Sequence, residues 1–137
     1  MWLLKTEPGS YSYDDLEREG RTVWDGVSNP AALAGLRAMV RDERVFIYHT
    51  GAEKAVVGMA RVTREAFVDP AHPGGKLVVV EIEADRRLAR AVPLAELKAL
   101  SSFQESPLVR QGRLSVVRLD RAQWREIERL GSKAGPR

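Results

Sequence analysis

Two runs near the middle of the chain set the frame for the rest. Arg44-Val45-Phe46-Ile47-Tyr48-His49 and Ala55-Val56-Val57-Gly58-Met59-Ala60-Arg61-Val62 are dense in β-branched and aromatic residues, with a Gly51-Ala52-Glu53 turn between them. Such side chains fit a pleated surface, and so short a connection joins strands that run in opposite directions. An antiparallel pair is therefore expected here. Leu77 to Ala84 alternates after a valine run and predicts a third long strand, and Leu114-Ser115-Val116-Val117-Arg118-Leu119 predicts another. Trp2-Leu3-Leu4-Lys5 is stopped so soon by Pro8-Gly9 that a strand suits it better than a helix.

The helices are short and lie between or after these runs. Ser12 stands three residues before Asp15 in the manner of a capping box, with Tyr13 and Leu16 on one face and Gly20 as the stop. Asn29 is a favoured N-cap and Pro30 a favoured first helical residue; Leu33, Leu36, Met39 and Val40 then recur at helical spacing. Gly35 is a cost inside that helix. Pro93 opens a short helix through Lys98, and Asp120 caps a last one that lines Trp124, Ile127 and Leu130 along one face. Five or six mostly antiparallel strands with short flanking helices make an α+β protein, able to close into a small β-barrel. Between the first two helices, Thr22-Val23-Trp24-Asp25-Gly26-Val27-Ser28-Asn29-Pro30 reads as a connecting loop, which leaves Trp24 as either a core plug or a flat surface for a ligand.

The chain is 137 residues long, within the size of one domain, and its 44% hydrophobic and 30% charged residues exclude a disordered chain. Residues 1–131 are expected to form the domain and 132–137 a flexible tail. No apolar run approaches the roughly 18 residues of a membrane span, and the N-terminus lacks the pattern of a signal peptide, so a cytoplasmic protein with no membrane partner is expected. Without cysteine there is no disulfide, thiolate nucleophile or Cys-based zinc site. From Arg110 onward, eight basic residues stand against three acidic ones, a balance of +5, whereas Met1 to Val109 carries −2. Such a basic segment could bind a polyanion, but for a single segment of this size a solvated helix face ranks ahead.

Catalytic patterns are sparse. His49 and His72 have no metal-ligand spacing, His72 lies in a proline-glycine loop, and no nucleophile elbow, phosphate loop or dinucleotide fingerprint is present. Neither a metal nor a cofactor is expected. The Trp24-Asp25-Gly26 turn offers more: an aromatic face beside the N-terminus of the Asn29 helix combines a stacking surface with oriented donors. Trp2 and Trp124 fall on apolar faces and are assigned to packing.

Trp2-Leu3-Leu4-Lys5-Thr6-Glu7-Pro8, Tyr11-Ser12, Trp24 to Asn29, Tyr48-His49-Thr50, Val56-Val57-Gly58, Asp69-Pro70, Leu94 to Lys98 and Arg113 to Val116, in this order, resemble the EVE domain family. The family belongs to the PUA-like superfamily of small β-barrels and is related to the YTH readers of methylated adenine. The resemblance implies a non-enzymatic pocket for a flipped-out modified base, a modified cytosine in DNA or a modified base in RNA, with a separate nuclease or RNA-processing protein as a further partner. It places Trp24 as the aromatic wall and Asn29 at the edge, and Lys5, Thr6 and Glu7 at the mouth. Ser12 and Val27 supply hydrogen bonds, Tyr48 and His49 another side, and Leu114 and Ser115 the far wall. Arg110, Arg113 and Arg118 are the expected phosphate contacts. Ser28 and Pro30 depart from the family pattern, where arginine and a larger residue are common, and Thr50 replaces a usual serine. Two other readings remain open: a small PUA-like hydrolase acting on a nucleoside-like substrate through Lys5, Glu7 and His49, and an adaptor whose basic last helix binds a protein.

Overall fold

In the computed structural model, which describes residues 1–132, a single sheet divides the side chains between two cores. Its strands are β1 (Trp2–Thr6), β2 (Arg21–Trp24), β3 (Arg44–His49), β4 (Ala55–Val68), β5 (Val78–Pro93) and β6 (Val116–Arg118), in the order β2-β5-β4-β3-β1-β6. Every neighbouring pair is antiparallel except β1 with β3. Along β1 and β3 the alternation is complete: Trp2, Leu4, Val45 and Ile47 enter one core, and Leu3, Phe46 and Tyr48 the other. This explains why these runs are apolar without a break, since a strand covered on both faces has no solvent side.

The first face is covered by α1 (Tyr13–Glu19) and α2 (Pro30–Ala38), and the second by α3 (Leu94–Lys98), a 3-10 turn (Ser101–Phe103), α4 (Pro107–Arg110) and α5 (Arg121–Gly131). The expected caps form. Ser12 and Asp15 close a reciprocal capping box, Asn29 accepts from the Ala32 N–H, and Asp120 pairs with Gln123 in the same way. Trp2 and Trp124 are buried, Trp124 stacked on Phe46 with ring centroids 3.8 Å apart. Gly35 also finds its reason, because a Cβ there would lie 2.8 Å from Val116 Cγ1 and 3.3 Å from the Trp2 ring.

Several expectations need correction. The sheet does not close into a barrel: β2 and β6, four and three residues long, are opposite edges and do not pair with each other. Arg21–Trp24 is a strand and not loop, paired with β5 so that Trp24 lies opposite Val80. β4 and β5 run well beyond residues 62 and 84, and repeated register shifts between them let the long pair bend while staying paired. The last strand is shorter than Leu114–Leu119, the second helix ends at Ala38, and the 3-10 turn and α4 had no expected counterpart. Of the tail at 132–137, all but Ser132 lies outside the described residues.

Candidate functional site

At the Thr6 end of β1, where β2 turns towards α2, the surface opens into a cavity of about 440 Å³. That volume lies within the range of small-ligand pockets. Strand alternation aims Thr22 and Trp24 inward while Arg21 stays exposed. The chain then turns through Asp25-Gly26-Val27, and Gly26 sits at φ +78°, a conformation that favours glycine. Trp24 therefore has two roles. It is a core residue with only 7% of its surface exposed, and it contributes to the cavity wall.

The second aromatic wall is Tyr11. Its ring meets Trp24 edge to face, with centroids 6.0 Å apart and planes at 87°, so the two form a corner. The loop carrying Tyr11 is fixed by the Thr6 hydroxyl, which donates to the Tyr11 carbonyl at 2.7 Å. The Tyr11 phenol donates to Glu19 Oε1 at 2.5 Å. Burial first, and then that carboxylate, push the phenol's pKa up to about 12, against the opposing effect of the Thr22 hydroxyl. The phenol, neutral at pH 7 as any tyrosine is, donates a hydrogen bond to that carboxylate.

Lys5 stands at the β1 side of the cavity. Its ammonium donates to the Gly112 carbonyl at 2.9 Å and lies 5.5 Å from the centre of the Tyr48 ring; burial lowers its pKa. The backbone N–H of Lys5 donates to the Ser115 carbonyl, which ties the 112–115 loop to β1.

Of the residues expected to form the pocket, the cavity gathers Lys5, Thr6, Trp24, Val27 and Ser115. The others lie elsewhere. Ser12 and Asn29 cap helices. Glu7 accepts from the Gly9 N–H and the Thr50 hydroxyl. Tyr48 is buried in the second core and Leu114 packs against both cores. His49 Nε2 accepts the Tyr13 N–H at 3.0 Å, so the neutral ring carries its proton on Nδ1, 2.7 Å from Glu53 Oε1. Ser28 is exposed and Pro30 is the first residue of α2; neither lines the cavity.

The three arginines differ. Arg110 is engaged by Glu105 and the Gln104 carbonyl, and Arg118 lies with its guanidinium 4.3 Å over the Trp2 ring. Arg113 is exposed beside Gly112, two residues from the cavity's Ser115, with no ion pair among the described residues. Sequence reasoning missed Ser10, Tyr11, Glu19, Thr22 and Val23 as lining residues, and read Asp25-Gly26 only as the turn beside Trp24. The available signal was the Thr22/Trp24 alternation, hidden because a four-residue strand ending in Asp-Gly reads as loop.

Comparison with known proteins places this geometry. The sequence model of the EVE domain matches residues 1–130. Human thymocyte nuclear protein 1 is 32% identical in a match covering 72% of this chain and 55% of that protein. The chain therefore spans about half the length of the curated relatives it matches. Among solved structures, Rpa0253 from Rhodopseudomonas palustris superposes with a TM-score of 0.89 at 37% identity, covering 95% of this chain and 91% of that one. The human THYN1 protein in complex with 5-methylcytosine-containing DNA superposes with a TM-score of 0.87 at 27% identity, covering 96% and 97%. The chain belongs to the EVE domain family.

Proposed function

We propose that this protein is a nucleic-acid-binding module that performs no chemistry and takes one flipped-out, modified base into the Tyr11–Trp24 corner. The observation that carries the reading is the corner itself: two rings at 87° on a cavity of base-accommodating size, with polar groups on either side. A base laid on one ring turns its edge towards the other, and stacking, worth roughly 1–3 kcal/mol per base, offsets part of the unstacking cost. 5-Methylcytosine in DNA is the first candidate, because the human THYN1 protein has been crystallised with DNA containing it. Any cutting or processing then falls to a separate nuclease or RNA-processing protein. The hydrolase reading gains no support from the geometry. Lys5, Glu7 and His49 each have their own partners, and no hydrogen bond among the described residues joins one to another.

The test is anisotropy with short DNA and RNA oligonucleotides carrying one central 5-methylcytosine or cytosine. The modified DNA is expected to bind more tightly, and Tyr11→Leu, which removes the ring but fills the space, to weaken that binding about tenfold. Trp24→Ala is the poorer probe, since truncating so buried a ring costs the fold about 3–5 kcal/mol. Equal binding of the two DNAs, with no effect of Tyr11→Leu, refutes the reading.

A further inference from the structure

The cavity has a polarity that stacking does not use. On the α1–β2 side are the Tyr11 phenol, the Glu19 carboxylate and the Thr22 hydroxyl; on the β1 side is the Lys5 ammonium. A carboxylate only accepts hydrogen bonds and has about four lone-pair sites. Tyr11 occupies one of those on Glu19, and Glu19 makes no ion pair within 4 Å among the described residues. Its neighbour Arg18 is bound instead to Asp15. The carboxylate is thus held in place by the same ring that forms the aromatic corner, and it keeps acceptor capacity to spare. Asp25, the other carboxylate on the cavity, has no comparable side-chain partner among the described residues to orient it.

We propose that Glu19, positioned by Tyr11, is the specificity-determining residue of the cavity and selects bases with an exocyclic amino group over their oxo counterparts. Resting on the base-binding reading above, it adds to it which edge is read and by which residue. An amino group at the pyrimidine 4-position donates to Glu19. An oxo group there sets oxygen against carboxylate oxygen, and that mismatch disfavours the base. The Lys5 ammonium suits the acceptor atoms at the other end of the same edge.

5-Methylcytosine and thymine share the methyl group and differ in this edge, so they isolate the inference. Three single-stranded DNAs of one sequence, with a central 5-methylcytosine, thymine or abasic position, are titrated against the wild-type protein, Glu19→Gln, Asp25→Asn and Tyr11→Phe. All four are checked for folding by circular dichroism. The wild type is expected to prefer 5-methylcytosine over thymine about tenfold, the scale of one well-placed edge contact. Glu19→Gln, whose amide can also donate to an oxo group, is expected to bring that preference within about twofold. Tyr11→Phe keeps the ring but releases the carboxylate, and should lose part of the preference; Asp25→Asn should keep it. If Glu19→Gln retains the full preference, or Asp25→Asn removes it instead, Glu19 is not the reader. If 5-methylcytosine and thymine bind equally but both exceed the abasic strand, the inference fails and the pocket stands. If neither exceeds the abasic strand, the pocket reading fails and takes the inference with it.

Discussion

Glu43 bears more of this fold than a partly exposed carboxylate usually does. It accepts from the Trp2 indole N–H at 3.0 Å, from the Val40 N–H at 2.7 Å and from the N-terminal ammonium at 3.0 Å. Burial works to raise its pKa, but these donors prevail and hold it below the ordinary carboxylate value. A depressed folded pKa gives stability that is present at neutral pH and is lost as pH falls through the carboxylate range. Glu43→Gln should therefore lower stability at pH 7 by about 1–2 kcal/mol, and its gap to the wild type should narrow as pH drops below 4.5. Thermal melts between pH 7 and pH 3 check both. Trp2 was legible as a packing residue, yet its indole partner lies 41 residues away and nothing local announces it. His49 is the opposite case. A strand-end histidine is more often a hydrogen-bonded structural residue than a general base; the family resemblance puts it on a side of the pocket, whereas here it completes the backbone bonding at the start of α1.

At the scale of elements, α1 meets β4 in a close approach, beside its bond to His49 and the ion pairs of Asp14 and Glu17 with Arg87 of β5. The Tyr13 ring lies against Gly58 of β4, where a Cβ would fall 2.3 Å from ring carbon, and the Tyr13 hydroxyl donates to the Met59 carbonyl at 2.6 Å. Because the obstacle is a ring locked in the core, it cannot swing aside. Gly58→Ala should overpack this contact and cost about 1–3 kcal/mol in urea unfolding, while Gly74→Ala, whose added Cβ meets no atom within 4 Å, should cost far less. α1 also carries Glu19 at its end and follows the Tyr11 loop, so displacing it disturbs the cavity as well. What the sequence disclosed at this scale was local. Caps at Ser12, Asn29 and Asp120 and the long apolar strands rest on neighbours within a few residues. β2 escaped notice because four residues carry too little alternation, and only its pairing with β5, some 60 residues on, makes it a strand.

For the whole molecule, the cavity is assembled from β1, the loop before α1, the end of α1, β2 with its turn, and Ser115. Segments so far apart cannot be grouped from spacing, which is why the sequence reached five lining residues and missed the rest. The same distribution governs charge. The excess of basic residues after Arg110 is not uniformly available, since Arg110 and Arg129 are paired with Glu105 and Glu126. Arg113 stands exposed near the cavity, and Arg118, on edge strand β6, remains exposed above Trp2. Arg113, two residues from Ser115, is placed to meet the backbone of an oligonucleotide whose base lies in the cavity, whereas Arg118 pairs opposite Trp2 at the other end of β1 and is reached by a backbone that runs along β6. Each phosphate neutralised contributes about −0.7 to the slope of log K against log salt on single strands and about −0.9 on duplex. Arg113→Ala and Arg118→Ala should each make that slope shallower by about this amount without altering the preference between 5-methylcytosine and cytosine. Arg110→Ala, whose guanidinium is already satisfied, should leave the slope unchanged. Salt titrations of all three variants decide the matter. A slope that shifts with Arg110 but with neither of the others would place the backbone on the α4 side of the cavity instead of along β6.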